Sequence, residues 1–240
     1  MMTIEAKGMH FQELCHTIKS SGDGPVKVIN CNGQRFLAGG MVSANLTIEG
    51  TPGNALGAYL DTGTITVHGN AQEATGDSMN GGEIVIYGSA GDGTGYAMRG
   101  GRILVRDNTG YRAGIHMKEY GEHRPVLVIG GRAGHFLGEY QAGGRIIVLN
   151  LQGSSSPVGD FCGTGMHGGE IFIRYDKPPA GLPKQVDSHR ATQEEKCSIY
   201  GDVQHYCQLF DKNVDAIFRG DFYVLRPSQA NPYRQMYTYN

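Results

Sequence analysis

The sequence predicts an all-β solenoid, a right-handed parallel β-helix of about seven to eight coils with helices flanking it at either end. Two observations predict it. The first is a period of nineteen residues. Leu46, Ile65, Ile84 and Ile103 open four short runs at that step, and two further columns share it: Met41, Leu60, Met79, Met98, Met117 and Gly57, Gly76, Gly95, Gly114. The second is alternation within each run, as in Ile65-Thr66-Val67 or Ile84-Val85-Ile86, the period-two signature of a strand. Nineteen residues hold two or three short strands and their corners, with no room for a long helix. The glycines fall at the corners, where φ turns positive or backbones approach closely. Met-x-Gly-Gly at Met79, Met98 and Met166 reads as an inward methionine, a corner and the next strand.

The elements follow in order. Residues 3–20 read as an amphipathic helix with Phe11, Leu14 and Ile18 on one stripe, stopped at 21–25. Residues 1–25 are therefore expected to cap the first coil, because the ends of a solenoid expose strand edges and apolar side chains. Residues 26–175 are the solenoid. Its eight runs include Val26–Asn30, Val126–Gly130, Ile146–Leu149 and Ile171–Ile173, and departures from the period place insertions near 118–124 and 153–159. Residues 176–240 form a third part. Asp176–Pro183 is a linker that cannot continue a sheet, and Thr192 with Glu195 has capping-box spacing. Ile199, Val203, Tyr206 and Phe210 make a helical stripe interrupted by Gly201, and Phe222–Arg226 is extended. Tyr233, Met236, Tyr237 and Tyr239 give the end a composition suited to docking on this domain or a partner.

Composition narrows the function. The 38 glycines are about twice the usual share, yet they are periodic and so do not signal disorder. A net charge of −2 gives no electrostatic case for nucleic acid or an anionic membrane. No apolar run approaches a membrane span or a signal-peptide core, so a cytoplasmic location is expected. Cys15, Cys31, Cys162, Cys197 and Cys207 form no Cys-x-x-Cys and read as reduced thiols, with Cys197 and Cys207 on one helix.

The motifs with chemical potential each have a plainer explanation. Gly91-Asp92-Gly93-Thr94-Gly95 with Asp107 resembles a dinucleotide fingerprint, but the residues between Tyr87 and Arg102 leave no space for a crossover helix. The outward columns Glu49, His68, Tyr87, Arg106 and Asp61, Asn80, Arg99 lack the paired carboxylates of a glycoside-cleaving β-helix. His116, His123 and His135 match no metal-ligand spacing, and Ser154–Ser156 has no identifiable base. No catalytic, cofactor-binding or metal residue emerges.

The recurring Gly-x-Gly-x-Gly and Met-x-Gly-Gly-x-Ile-x-Val, with Gly33–Gly40 before them and Gly163–Gly169 after, resemble the GXGXG domain over residues 10–175. That is the C-terminal β-helix domain of the glutamate synthase large subunit. The resemblance implies a non-catalytic domain packed between a glutamine amidotransferase and an FMN-binding synthase barrel. The family's chemistry rests on an N-terminal cysteine, FMN and a three-iron cluster. This chain begins Met1-Met2, has no room for a barrel and lacks clustered cysteines, so FMN and the iron–sulfur cluster are expected in partner subunits. It looks like a stand-alone scaffold subunit of a split glutamate synthase, which makes glutamate from glutamine and 2-oxoglutarate. Two alternatives stand beside that reading. One is a role like that of the formylmethanofuran dehydrogenase component that shares the repeat, which implies molybdenum- or tungsten-containing partners. The other is an independent enzyme or binding module for a sugar or small molecule, with its site on the two insertions. Self-association, for instance end to end, is a further possibility of the fold.

Overall fold

The computed structural model describes residues 1–22 and 24–228. Nine strands lie side by side in chain order, each parallel to the next: β1 (Met2–Glu5), β2 (Val26–Asn32), β3 (Ser43–Thr51), β4 (Thr62–His68), β5 (Glu83–Ile86), β6 (Arg102–Val105), β7 (Val126–Ile129), β8 (Ala142–Val148) and β9 (Gly168–Arg174). Two antiparallel strands finish the row. β11 (Phe222–Pro227) pairs with β9, and β10 (Val186–Arg190) pairs with β11. The result is an all-β chain built on one open, mixed sheet of eleven strands.

Register follows the nineteen-residue period. Leu46 pairs with Ile65, Ile65 with Ile84 and Ile84 with Ile103. Past the first insertion Ile103 pairs with Leu127, not with Val126, which opens the run in the sequence. Alternation decides this. Leu127 and Ile129 join Ile103 and Val105 in one buried cluster, whereas Val126 and Val128 pack in a second cluster on the other face. Starting one residue earlier would exchange the two faces. The inward methionines Met79, Met98 and Met166 are fully buried.

Each corner repeats an unusual backbone. Residues 74, 76 and 78 all have left-handed φ, and so do the triplets 36/38/40, 55/57/59, 93/95/97, 112/114/116, 136/138/140 and 161/163/165. Hydrogen bonds alternate along a triplet. Ala74 and Ser78 donate forward to Asp92 O and Tyr96 O, both 2.8 Å, while Gly76 donates back to Leu56 O, 2.8 Å. The central position points inward: at φ +71° a Cβ on Gly76 would strike the Ile103 side chain, which favours glycine there, while the first triplet holds a buried Ala38 at the equivalent place. The outer two positions point away from the core and carry side chains as large as Tyr59 and Phe161.

The two ends differ from expectation. In place of a helix over 3–20, the chain makes β1, turns at Gly8 (φ +76°) and then forms α1 (Phe11–Ser20). Thr3 and Ile4 extend the sheet by pairing with Lys27 and Val28, which suits a β-branched pair better than a first helical turn. Leu14 and Ile18 of α1 are buried in one cluster with Ile4, Val26 and Val28.

At the other end, 176–183 carries no strand, as its prolines require, but the chain beyond it is no separate appendage. β10 and β11 continue the sheet, and α2 (Gln193–Ser198), α3 (Tyr200–Phe210) and α4 (Val214–Phe218) precede β11. Thr192 and Glu195 form the full capping box. Ile199 ends α2, so Cys197 and Cys207 lie on different helices. Val203, Tyr206 and Phe210 of α3 cover Val85, Leu104, Val128, Ile147 and Phe172 on the outer face of β5–β9. The aromatic stretch 231–239 lies outside the described residues.

Candidate functional site

The glycine fingerprint at 91–95 is one of the corners: Gly93 and Gly95 occupy left-handed positions and Asp92 Oδ1 accepts from Tyr111 N–H, 2.7 Å. The outward columns divide among structural tasks. Glu49 pairs with Lys27 at 2.6 Å, His68 packs on Tyr87, and Tyr87 donates to Leu209 O of α3 at 3.1 Å. Arg106 O accepts from Tyr206, 2.9 Å, and Asn80 donates to Asp61, 2.8 Å.

The three insertion histidines are not brought together. His116 stacks on Tyr140, centroids 5.2 Å apart, and His135 stacks on Tyr111 while its Nδ1 accepts from Asp160 N–H, 3.0 Å. His123 makes a backbone bridge with Tyr120. Among the described residues no three His, Cys, Asp or Glu side chains gather as a metal-ligand set. The five cysteines are free, and burial raises the thiols of Cys31 and Cys207 to about 11 and that of Cys162 to about 12. At neutral pH these three buried thiols supply little thiolate.

The two insertions lie at opposite ends of β8. Glu119 reaches Gly144 N–H at the start of the strand, 3.1 Å, whereas Asn150, just past its end, holds Ser154 through two hydrogen bonds. A joint binding site on both loops is therefore not formed. The second loop does line an open cavity of roughly 410 Å³ with Arg174, Asp176, Lys177 and Asp221. Arg174 spends its guanidinium on Ile217 O, 3.0 Å, and Asp221 is bound by Arg190, so two of these charges serve the fold.

Two features gather functional side chains. One is an ion network that fastens the C-terminal elements to β8 and β9. Arg145, 7% exposed, contacts Glu170 (3.3 Å), Asp202 (3.2 Å) and Ser198 O (2.7 Å). Arg226 bridges Glu170 and Glu195 at 2.6 and 2.7 Å. Burial works to raise the Glu195 carboxyl. The Thr192 N–H and His189 outweigh it, with the Arg226 charge, and hold it down to about 2. Glu170 also lies below the ordinary value: burial opposes this, and the hydrogen bond and charge of Arg226, with Arg145 and Arg124, prevail.

Depressed carboxyls add stability that is present above the unfolded value near 4.5 and is lost as pH falls towards 2. Thermal scans are therefore expected to show Tm falling through that window. Glu195→Gln should lower Tm at pH 7 and flatten the acid fall; an unchanged slope would exclude this network as its source.

The other feature is the outer surface of the corners, which residue-by-residue motif reading passes over. Phe136 stacks on Phe161 (4.9 Å), and Arg112 lies over Phe136 (4.9 Å) while its Nε contacts Glu139 (2.9 Å). Tyr59, Tyr96, Tyr111 and Tyr140 are all exposed there. The available signal was the offset: Tyr59, His116 and Tyr140 each sit two residues after a central corner glycine.

Residues 27–221 match the family model described as GXGXG motif, a span that runs beyond residue 175 and takes in the C-terminal helices. The chain is also 42% identical over 251 aligned positions to a protein of Methanocaldococcus jannaschii named as uncharacterized protein MJ1350, covering 99% of this chain and 96% of that one. The chain belongs to the GXGXG motif family.

Proposed function

We propose that this chain is the scaffold subunit of a split glutamate synthase in the cytoplasm. It would hold a glutamine amidotransferase and an FMN- and iron–sulfur-containing synthase, each a separate polypeptide, in register. In this reading the parallel ladder and its corners wind as a right-handed β-helix, and the stack is a stiff spacer. One observation carries the proposal: the family match spans most of a 240-residue chain, residues 27–221. Hydrogen bonds from repeat to repeat at the corners, and the bridges Ala71–Ala90–Thr109–Ala133, support the winding.

The test is co-purification from native cells with the eluate assayed for glutamine-dependent glutamate formation. Amidotransferase and flavin-containing chains with that activity are expected. Partners carrying molybdenum or tungsten would replace the reading with the formylmethanofuran dehydrogenase role, and a stoichiometric flavin spectrum in the isolated chain would overturn the non-catalytic part.

A further inference from the structure

The outer corner surface changes character along the stack. The repeat around Gly76 presents small side chains, Ala74 and Ser78, with Glu73 and Asp77 beside them, and the repeat around Gly57 presents Tyr59. The repeats around Gly114 and Gly138 present large or basic ones, Arg112, His116, Phe136 and Tyr140. The repeat around Gly95 lies midway. The first corner carries Arg35 and Phe36, and the last carries Asp160 and Phe161. The face is exposed along its length, from Phe36 (47%) through Tyr59 (60%) to Phe161 (53%). Six steps of about 4.8 Å make it about 29 Å long.

This gradient is self-complementary in one orientation. Rotating a copy by a two-fold axis that lies in the interface plane at the Gly95 repeat, at right angles to the stack, sets the two stacks face to face and antiparallel. The acidic Gly76 repeat then faces Arg112 and His116 of the Gly114 repeat of the second copy, and Tyr59 of the Gly57 repeat comes opposite Tyr140 of its Gly138 repeat. Arg35 comes opposite Asp160, and Phe36 opposite Phe161. Each match occurs twice, as an isologous interface requires. The parallel alternative would set Glu73 and Asp77 against themselves and Arg112 against itself, with like charges opposed.

We propose that a second copy of this chain covers the corner face, antiparallel, with the two-fold axis at the Gly95 repeat. This pairing leaves both ends of the stack open and is independent of the partners proposed above.

Sedimentation equilibrium of the full chain at micromolar concentration is expected to give twice the 25.9-kDa chain mass. Asp77→Arg should weaken the dimer roughly tenfold or more, because it turns an attractive pair into a repulsive one on both sides of the axis. In a Cys197→Ser background under mild oxidation, Tyr96→Cys, next to the axis, should link to itself. Phe161→Cys should remain unlinked alone and link when mixed with Phe36→Cys. A monomeric mass overturns the proposal. So does a dimer indifferent to Asp77→Arg, or one in which Phe161→Cys links to itself as readily as Tyr96→Cys.

Discussion

Gly63→Ala is expected to cost about 3–5 kcal/mol, a large share of the stability of an ordinary domain. Gly63 sits in β4 opposite Ala44 of β3 at φ +91°. A Cβ there would lie 2.6 Å from Ala44 N and 2.8 Å from Ala44 C, and closer still to its carbonyl oxygen. These are backbone atoms fixed by the ladder on both sides, so nothing can swing away. Left-handed strain contributes about 1–2 kcal/mol, and overpacking against a rigid neighbour about 1–3 or more.

Gly95→Ala is the control. It shares a positive φ, +72°, but its nearest neighbours are side-chain atoms at 3.7 Å, so strain alone should act, at about 1–2 kcal/mol. Urea unfolding of both variants, with unchanged m-values, separates the two terms. Equal losses would mean that close approach between strands does not limit this fold.

Arg145→Met should cost about 2–4 kcal/mol and loosen the C-terminal elements first. The guanidinium is almost fully buried and spans Glu170 of β9, and Ser198 and Asp202 around the α2–α3 junction. Removing it leaves partly buried carboxylates with reduced compensation, the situation in which breaking an ion pair is costly. Glu170 keeps Arg226 and Arg124, which holds the loss below the upper limit. Arg145→Lys is not expected to rescue, because one ammonium cannot serve partners on both sides of the fork. Limited proteolysis should then cut between 176 and 185 at lower protease than in the wild type. A variant within about 0.5 kcal/mol of wild type, with unaltered cleavage, would show that apolar packing of α3 alone holds these elements.

The nineteen-residue repeat was legible because its cause is local and recurrent: Leu46, Ile65, Ile84 and Ile103 must face one core, so the sequence repeats what the register repeats. The position of the helices was written less plainly. β3 and β4 alternate, with Thr47 and Thr66 outward, but Ile84-Val85-Ile86, Ile103-Leu104-Val105 and Ile146-Ile147-Val148 are apolar on both faces. Continuous apolar runs mark strands covered on both sides. Read that way, they announce that something packs outside β5–β9, and the stripe Val203, Tyr206, Phe210 supplies it. The strand at Met2–Glu5 was hidden because four residues beside a helix carry no period of their own. The ion network was hidden for a different reason. Arg145, Glu170, Glu195 and Arg226 are far apart in sequence and meet only after β11 has returned beside β9. Likewise the corner surface depends on three left-handed residues in five, a backbone property that composition does not print except where glycine fills the place.

The footing of α3 also sets which part of the molecule can change length. His205 grips Glu83 of β5 at 2.6 Å, Tyr206 bonds Arg106 after β6, and Arg226 bonds Glu170 of β9. Those strands are clamped together as a block of fixed thickness. β3 and β4 lie outside the clamp and pair through an uninterrupted nineteen-residue step. There the molecule behaves as a graduated ruler: adding or deleting one whole repeat moves its first end by about 4.8 Å without disturbing the clamp. Duplications in multiples of nineteen codons would thus be tolerated near the amino-terminal end, whereas a change of another length would have to be absorbed in a loop between strands, as in the 24- and 25-residue steps from Ile103 to Leu127 and from Ile146 to Ile171.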